Sequence, residues 1–491
     1  MMRSLYSGVS GLKNHQTRMD VIGNNISNVN TTGFKSSRVN FADSLSQTLT
    51  AASAPNDTVA GTNPKQIGLG SKISAIDLNF NDGSVQSTGI NTDLCLSGNA
   101  LFIVQKGNQT YYTRNGAFRF DANGNYVNSD GLYVQGYMNT SDTDHNTINT
   151  NSGVSNITIR AGKSMPSHQT ENISYVNNFN ASAPLISSIT VTHSDGSTEI
   201  IRPSDDPNAV NMGLDSNVSA VINLSDDSKM TVTEGYYTAG NSIPVSTTVN
   251  VYDSLGAKHV VPITVEKCGE NLWLTKLAGV PGSIDPSDPD SRVLDTMTIE
   301  EDDGTTTSIS MYEKTIPFKT SGAYDDTSTR GGTGSLNLVF GNGAEPQTII
   351  IDFSKLTQYS NSTTANGEAD GYAAGTLESV TIDESGIMYG TYTNGVLRRE
   401  AQIAVAQFTN ASGLTKNGNS LYTTSQNSGV PNVGTVVGFG VNVTASALEM
   451  SNVDIANEFS DMIITQRGFQ SNSKIITVSD ELLETLINMK R

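Results

Sequence analysis

The two ends of the chain carry apolar residues at helical spacing, and most of the length between them does not. Leu5, Val9, Leu12, Met19, Ile22 and Ile26 are separated by three, four or seven positions, and so are Leu448, Ile455, Phe459, Met462, Phe469, Ile476, Leu483 and Ile487. Each set predicts one apolar stripe along an amphipathic helix. The second helix is expected to start near Thr444 or Ser446, either of which can cap a helix, and to run close to the C-terminus. At roughly forty residues it would be far longer than the ~11–12 of an average globular helix. Gln466, Ser473 and Asp480 fall at core-facing heptad positions, which argues against an isolated coiled coil and for a multi-helix surround. The first helix is too short to cover the whole stripe, so copies of the same chain are the expected cover.

Between the ends the pattern changes. The first helix runs into the polar segment from Asn24 to Gly33, where Asn24, Asn25, Asn28, Thr31, Gly33 and Phe34 are expected to shape a bend. Phe34–Leu49 reads as a short helix, followed by a loop through Pro55, Gly61 and Pro64. Beyond it, Ser71–Phe80, Ala100–Gln105, Thr110–Arg114 and Phe118–Asp121 read as strands. They are divided by Asp82-Gly83, Lys106-Gly107-Asn108, Asn115-Gly116 and Asn123-Gly124, residues that tolerate the positive φ of hairpin turns. Further strands are expected at Ile157–Arg160, Leu185–His193, Val249–Tyr252, His259–Glu266, Leu336–Phe340 and Thr348–Phe353, with Asp253–Ala257 as a hairpin loop. A second β-run occupies about 376–425, with turns at Gly386, Asn394-Gly395 and Asn417-Gly418.

A chain of 491 residues exceeds what one core supports, so several domains are expected. The fold class is multidomain and mainly β, with long N- and C-terminal α-helices that pack as a coiled-coil-like inner domain. Residues 1–30 and 447–491 form the terminal helical domain, and 31–70 a connecting segment. Residues 71–145 and 371–446 form an inner β-domain, and 146–370 the outer β-domains, with an extra subdomain at 185–245.

Charge narrows the chemistry. Lys and Arg number 29 against 48 Asp and Glu, a net charge of −19, which disfavours a nucleic-acid partner. Asp285, Asp288, Asp290, Asp295, Glu300, Glu301, Asp302, Asp303, Glu313, Asp325 and Asp326 crowd one stretch without the ordered D-x-[DN]-x-[DN]-G calcium loop. They read as a solvated acidic face. The first forty residues lean basic, with Arg3, Lys13, Arg18, Lys35 and Arg38 against Asp20. Cys95 and Cys268 match no metal spacing and read as buried or inert thiols, with a disulfide between them or another covalent link, Lys267 adjoining Cys268, as the alternatives. His15, His145, His168, His193 and His259 are scattered, and no P-loop, nucleophile elbow or HExxH occurs. No catalytic, cofactor or metal site is therefore expected. Neither a cleavable apolar leader nor a stretch of ~20 apolar residues appears, so no membrane insertion is expected.

Two segments carry a family resemblance. Ser4-Leu5-Tyr6-Ser7-Gly8-Val9-Ser10-Gly11-Leu12 with Asn24–Lys35 closely resembles the N-terminal signature of bacterial flagellar rod and hook proteins. Met450–Asp454 with Ile464–Lys474 resembles the C-terminal half of that signature. Rod members are much shorter, whereas hook members insert a larger β-region between the same ends, as here. Thr92–Asn99, Val251–Gly256 and Ala406–Asn410 with Gly413-Leu414 are also similar to hook members, although Cys95 stands where Ala is common and Ala100 where Gly is common.

The resemblance implies a structural subunit that self-assembles into a flexible curved tube transmitting torque from rod to filament, with no enzymatic activity and no cofactor. It implies a homopolymer as the main partner, together with rod, hook cap and hook–filament junction proteins and the type III export apparatus. The implied location is the extracellular hook, reached without a cleaved signal peptide. Leu5, Val9, Leu12, Ile22, Ile26, Ile455, Phe459, Met462, Phe469, Ile476 and Leu483 are the expected assembly residues. A distal rod or other axial protein is the nearest alternative, and a surface adhesin a more distant one.

Overall fold

The structure is a computed structural model. It describes residues 2–55, 60–141, 146–203, 211–214, 219–233, 235–279, 294–301, 304–328 and 330–489; His145, Asp285, Asp288, Asp290, Asp302 and Asp303 lie outside the described residues. Contacts divide the chain into a terminal unit, Met1–Lys163 with Leu377–Arg491, and a central unit, Ser164–Thr376.

The terminal unit holds two helices, α1 at Met2–Ser27 and α2 at Ile455–Met489. Helix α2 begins later than Thr444 or Ser446. Asn442–Ala445 and Ala447–Glu449 are strands instead, pairing with Leu94–Ser97 and Val85–Ser87, and Ser446 between them sits at φ 57°. Strand partners thus take the backbone groups that a helix would need, and Leu448 leaves the stripe. Asp454 caps α2, its Oδ1 accepting the Ala456 N–H at 2.9 Å and the Asn457 N–H at 3.3 Å.

The two helices run antiparallel and close together. A Cβ on Gly11 would lie 2.6 Å from Asn472 Nδ2, one on Gly468 would lie 2.6 Å from His15 Cε1, and Gly8 faces Ile476. Arg18 Nη2 pairs with Asp461 Oδ2 at 2.9 Å near the other end of the seam. In α2 the buried residues are Thr465 and Ser479. The seam is therefore small and polar, and α1 covers only one side of α2. That, together with the shorter length of α1, 26 residues against 35, leaves apolar side chains of α2 in solvent.

After α1 the chain does not form the expected short helix over Phe34–Leu49. Ser37–Asp43 pairs antiparallel with Ser71–Leu78, and Ser46–Thr50 with Lys65–Gly68. Val39 and Phe41 fall on one side of an alternating strand, a period of two that outweighs the weak helical spacing. Helix α1 packs on the first of these hairpins.

The sheet of the terminal unit centres on Leu397–Gln407, which pairs with Ile387–Tyr392, Tyr133–Met138, Ala100–Lys106 and Asn432–Thr435. Both faces of this strand are buried, which explains its nearly unbroken apolar run. Ala401, Ile403 and Val405 meet Phe102, Val104 and Tyr126 on one face, while Ala404 and Ala406 meet Leu101, Tyr112 and Phe408 on the other. Ile157–Arg160 is not a strand. Its N–H groups at Ile157 and Ile159 donate to the Val134 and Gly124 carbonyls while both side chains enter the core. The turn glycines Gly107 and Gly395 adopt φ of 60° and 80°, as hairpins require.

In the central unit, Asn172–Asn180 lies parallel to Gln347–Tyr359, beside Gly334–Val339, Thr306–Tyr312 and Leu294–Glu300. A second sheet consists of Val245–Tyr252, Lys258–Gly269, Leu272–Leu277 and Lys314–Pro317. Their facing sides share one core around Trp273, Phe179, Ile263 and Ile351. Ile186–Thr192, Thr198–Ile201, Ser219–Leu224 and Lys229–Val232 make a separate sheet with its own cluster of Ile189, Val191, Ile222 and Val232.

The acidic stretch is not one solvated face. Asp295 is buried, accepts the Leu277 N–H at 3.2 Å and has its carboxyl pushed up by burial; Glu313 is buried too. Asp326 stays exposed and pairs with Lys319 at 2.9 Å. Both cysteines are free thiols, so the disulfide alternative falls.

Trp273 is the chain's single tryptophan, stacked on Phe179 at 4.5 Å with its Nε1–H donating to Gln358 Oε1 at 2.9 Å. Gln358→Leu leaves that donor unpaired in the core. The variant is expected to lose ~1–3 kcal/mol, read as an earlier urea midpoint in tryptophan fluorescence.

Candidate functional site

The end of α1 is shaped by the residues expected to form a bend. Asn28 Nδ2 donates to the Asn24 carbonyl at 2.9 Å and to Asn24 Oδ1 at 3.0 Å, and Thr31 Oγ1 donates to Asn28 Oδ1 at 3.1 Å. Asn25 is buried and does more. Its amide donates to the Ser37 carbonyl at 2.9 Å and to Glu458 Oε1 at 3.0 Å, and its Oδ1 accepts the Ser37 N–H at 3.0 Å. One side chain thereby joins α1, the first strand and the first turn of α2. Burial pushes the Glu458 carboxyl upward, and the Asn25 donor opposes that shift. Gly33 adopts φ 66°, and a Cβ there would lie 2.5 Å from the Asn115 nitrogen. Phe34 is buried under Lys416, whose Nζ lies 4.6 Å from the ring centroid.

Directly after this bend lies a buried ionic cluster. Lys35 Nζ meets Glu449 Oε1 at 2.6 Å and donates to the Asn81 carbonyl at 2.7 Å. The same carboxylate oxygen accepts the Gly83 N–H at 2.8 Å, and Glu449 Oε2 meets Arg114 Nη1 at 3.3 Å. Arg114 also donates to the Leu96 carbonyl at 2.7 Å and to the Gly98 carbonyl, and pairs with Asp82 at 3.3 Å. Lys35, Arg114 and Glu449 are each at most 1% exposed. Desolvation pulls the Lys35 ammonium downward and the Glu449 charge pulls it back. The backbone joins as well, since the Gly33 N–H donates to the Glu449 carbonyl at 2.8 Å. The segment leaving α1 and the segment entering α2 are thus fixed to the same wall of the β-domain. Asn452 adds a second tie, accepting the Ser36 N–H at 2.8 Å and donating to the Asn79 carbonyl at 2.8 Å.

Sequence reasoning placed Lys35 in the family signature but missed Arg114 and Glu449. A signal for Glu449 was present: between Glu400 and Asp454 the only charged residues are Lys416 and Glu449. An isolated charge in so long a neutral run is a candidate for burial beside a partner.

The expected assembly residues divide into two groups. Ile22 is buried, and Leu5, Leu12, Ile26, Met462, Ile476 and Leu483 are partly covered. Val9, Ile455, Phe459 and Phe469 are exposed. Ile463, Ile464, Ile475, Val478, Leu482 and Leu486 are exposed as well and were missed, because one heptad stripe was read where the helix carries apolar residues on both sides of its seam.

Comparison with known proteins fits this layout. The model for the flagella basal body rod protein matches residues 5–35, that for the flagellar hook protein FlgE/F/G D1 domain 95–162, that for the flagellar basal body protein FlaE D2 domain 223–372, and that for the flagellar basal body rod FlgEFG protein C-terminal region 444–489. These define a structural protein of the flagellar axis. The flagellar basal-body rod protein FlgG of Bacillus subtilis is 53% identical over 134 residues, but these cover only 27% of this chain and 51% of that protein. The flagellar hook protein FlgE of Treponema pallidum is 37% identical over 502 residues, and that of Borreliella burgdorferi 35% over 514, each alignment covering 100% of both chains. The chain belongs to the flagellar hook protein FlgE family and is a structural subunit of the hook.

Glu449→Ala leaves Lys35 and Arg114 buried without their carboxylate and is expected to cost ~3–5 kcal/mol. Circular dichroism in urea should show the loss, while the tryptophan transition of the central unit stays in place. The thiols give a second check. Burial pushes Cys95 up to about 11 and Cys268 up to about 12. Since the thiolate is the reactive form, native protein at pH 8 should alkylate far more slowly with iodoacetamide than protein in urea. Equal rates would show that these sites are open.

Proposed function

We propose that the chain polymerises through its terminal helices into a curved, hollow tube that serves as a torque-transmitting joint between rod and filament. The observation that carries this reading is the exposed apolar surface of α2. Phe459 is 49% exposed, Ile464 60% and Leu482 51%, on a helix whose intramolecular seam is small and polar. Apolar surface in such quantity is costly in water and is expected to be covered in the working state. Leu5, Val9, Leu12, Ile22 and Ile26 of α1, and Ile455, Phe459, Met462, Phe469, Ile476 and Leu483 of α2, are the residues assigned to assembly.

In this proposal the helices line the tube, the β-portion of the terminal unit forms its wall and the central unit faces outward. Bending needs outer contacts that rearrange at each turn. A surface rich in Asn, Ser and Thr suits that, because water-mediated contacts exchange at small cost. Rod, cap and junction proteins would meet the ends of the polymer, and the flagellar type III apparatus would export the chain.

Phe469→Asp is expected to abolish tubes in electron micrographs of purified protein while leaving the β-sheet signal and the urea midpoints unchanged. Tubes of normal number from this variant would overturn the assignment.

A further inference from the structure

Within the central unit, a lysine and an asparagine share one oxygen atom of a buried glutamate. Lys276 Nζ donates to Glu266 Oε1 at 3.0 Å, and Asn241 Nδ2 donates to the same oxygen at 3.1 Å. Glu266 is 0% exposed, Lys276 2% and Asn241 8%. The local fold aims the three at one another. Glu266 pairs with Leu274 across strands Lys258–Gly269 and Leu272–Leu277, so Lys276, on the alternate position, lies on the same face of the sheet. Asn241 follows strand Gly235–Thr238 and is held by its neighbour. The Ser242 N–H donates to the Lys267 carbonyl at 2.8 Å, and Ser242 Oγ accepts the Lys267 N–H at 2.9 Å. The second carboxylate oxygen, Glu266 Oε2, is buried and has no hydrogen-bond partner among the described residues.

From this geometry we infer that Lys276 and Asn241 join in an intramolecular isopeptide bond, with Glu266 as the catalytic base and acid. Glu266 takes a proton from the Lys276 ammonium, and the freed lone pair on Nζ attacks Asn241 Cγ. The Nζ–Cγ bond forms while the carbonyl electrons move onto Oδ1. Glu266 then gives its proton to Nδ2 and takes one from Nζ. As the carbonyl re-forms, the Cγ–Nδ2 bond breaks and ammonia leaves, collecting the last proton from Glu266 as ammonium. Nothing is oxidised or reduced, and no co-reactant is needed. Both nitrogens already lie within the ~2.6–3.2 Å that proton transfer requires. Holding amine and carboxamide side by side converts a slow bimolecular exchange into an intramolecular one, and burial keeps water, the competing nucleophile, away from Cγ. The product ties the turn at Asn241 to strand Leu272–Leu277, and like a disulfide it restricts the unfolded chain. The inference is independent of the polymer reading.

Mass spectrometry of the folded, full-length chain is the test. Its intact mass should fall short of the sequence mass by one ammonia. Trypsin should release a branched peptide joining residues 230–258 to residues 268–292, uncut after Lys276. Chain recovered in urea from inclusion bodies should carry the full mass and lose ammonia only after refolding. Full mass in the folded, unsubstituted chain after prolonged incubation, with the two peptides separate, would overturn the inference and leave Lys276 and Glu266 as a plain buried ion pair. Loss of ammonia without the branched peptide would overturn it too.

Variants then separate the roles. Glu266→Gln should retain the full mass while Trp273 fluorescence reports a folded central unit, and a branched peptide formed as fast as in the unsubstituted chain would contradict the role of Glu266. Should Glu266→Gln fail to fold, Lys276→Arg keeps the cation but removes the amine, and must likewise retain the full mass. An ammonia loss within peptide 230–258 of that variant equal to the unsubstituted chain's would contradict the bond.

Discussion

The contact between Glu449 and the cations of Lys35 and Arg114 ties the two ends of the chain to one place in the β-domain. Removing three charges from water is expensive, and hydrogen bonds must offset that cost. Here they do. Glu449 accepts from Lys35, Arg114 and the Gly83 N–H, and the two cations donate in turn to carbonyls of residues 81, 96 and 98. The cluster is specific about geometry, because Lys35, Arg114 and Glu449 come from three segments distant in sequence and must converge on one point. Its value is position: α1 must leave and α2 must enter at a fixed separation, which the Asn25 bridge to Glu458 then continues into the helices.

That anchoring compensates for a weak helical seam. Gly8, Gly11 and Gly468 let the helices approach, while Asn472, Thr465 and Ser479 fill the interface with small polar groups. Such a seam buries little apolar area, so at ~25 cal/mol per Å² it adds little stability of its own. The β-portion is different, with both faces of Leu397–Gln407 packed into apolar clusters. Stability in the free subunit therefore resides in the sheets, and the helices keep their larger apolar side chains for contacts outside the chain.

Much of this was legible in the sequence, for physical reasons. Helical spacing announced α1 and most of α2, and Asn-Gly and Lys-Gly-Asn turns located the hairpins because so few residues tolerate their backbone angles. The β-run over about 376–425 was legible, though not that its strand Leu397–Gln407 is buried on both faces. What stayed hidden depended on partners distant in sequence. Phe34–Leu49 has the composition of a weak helix, and only pairing with Ser71–Leu78 makes part of it a strand. The start of α2 moved to Ile455 because strands from residues 85–97 claim the preceding segment. Arg114 and Glu449 are 335 residues apart, and only the fold brings them together. The seam at Thr465 and Ser479 was missed because packing by small polar residues leaves no apolar signal.

Hydrogen–deuterium exchange along the whole chain, compared between dilute subunit and assembled polymer, tests the central claim most directly. If the cluster and sheets hold the subunit while α2 is completed by neighbouring copies, amides of residues 397–407 will be protected in both states. Those of 459–486 will exchange quickly in the subunit and become protected by orders of magnitude in the polymer. Strong protection of α2 in the dilute subunit, unchanged on assembly, would contradict the account.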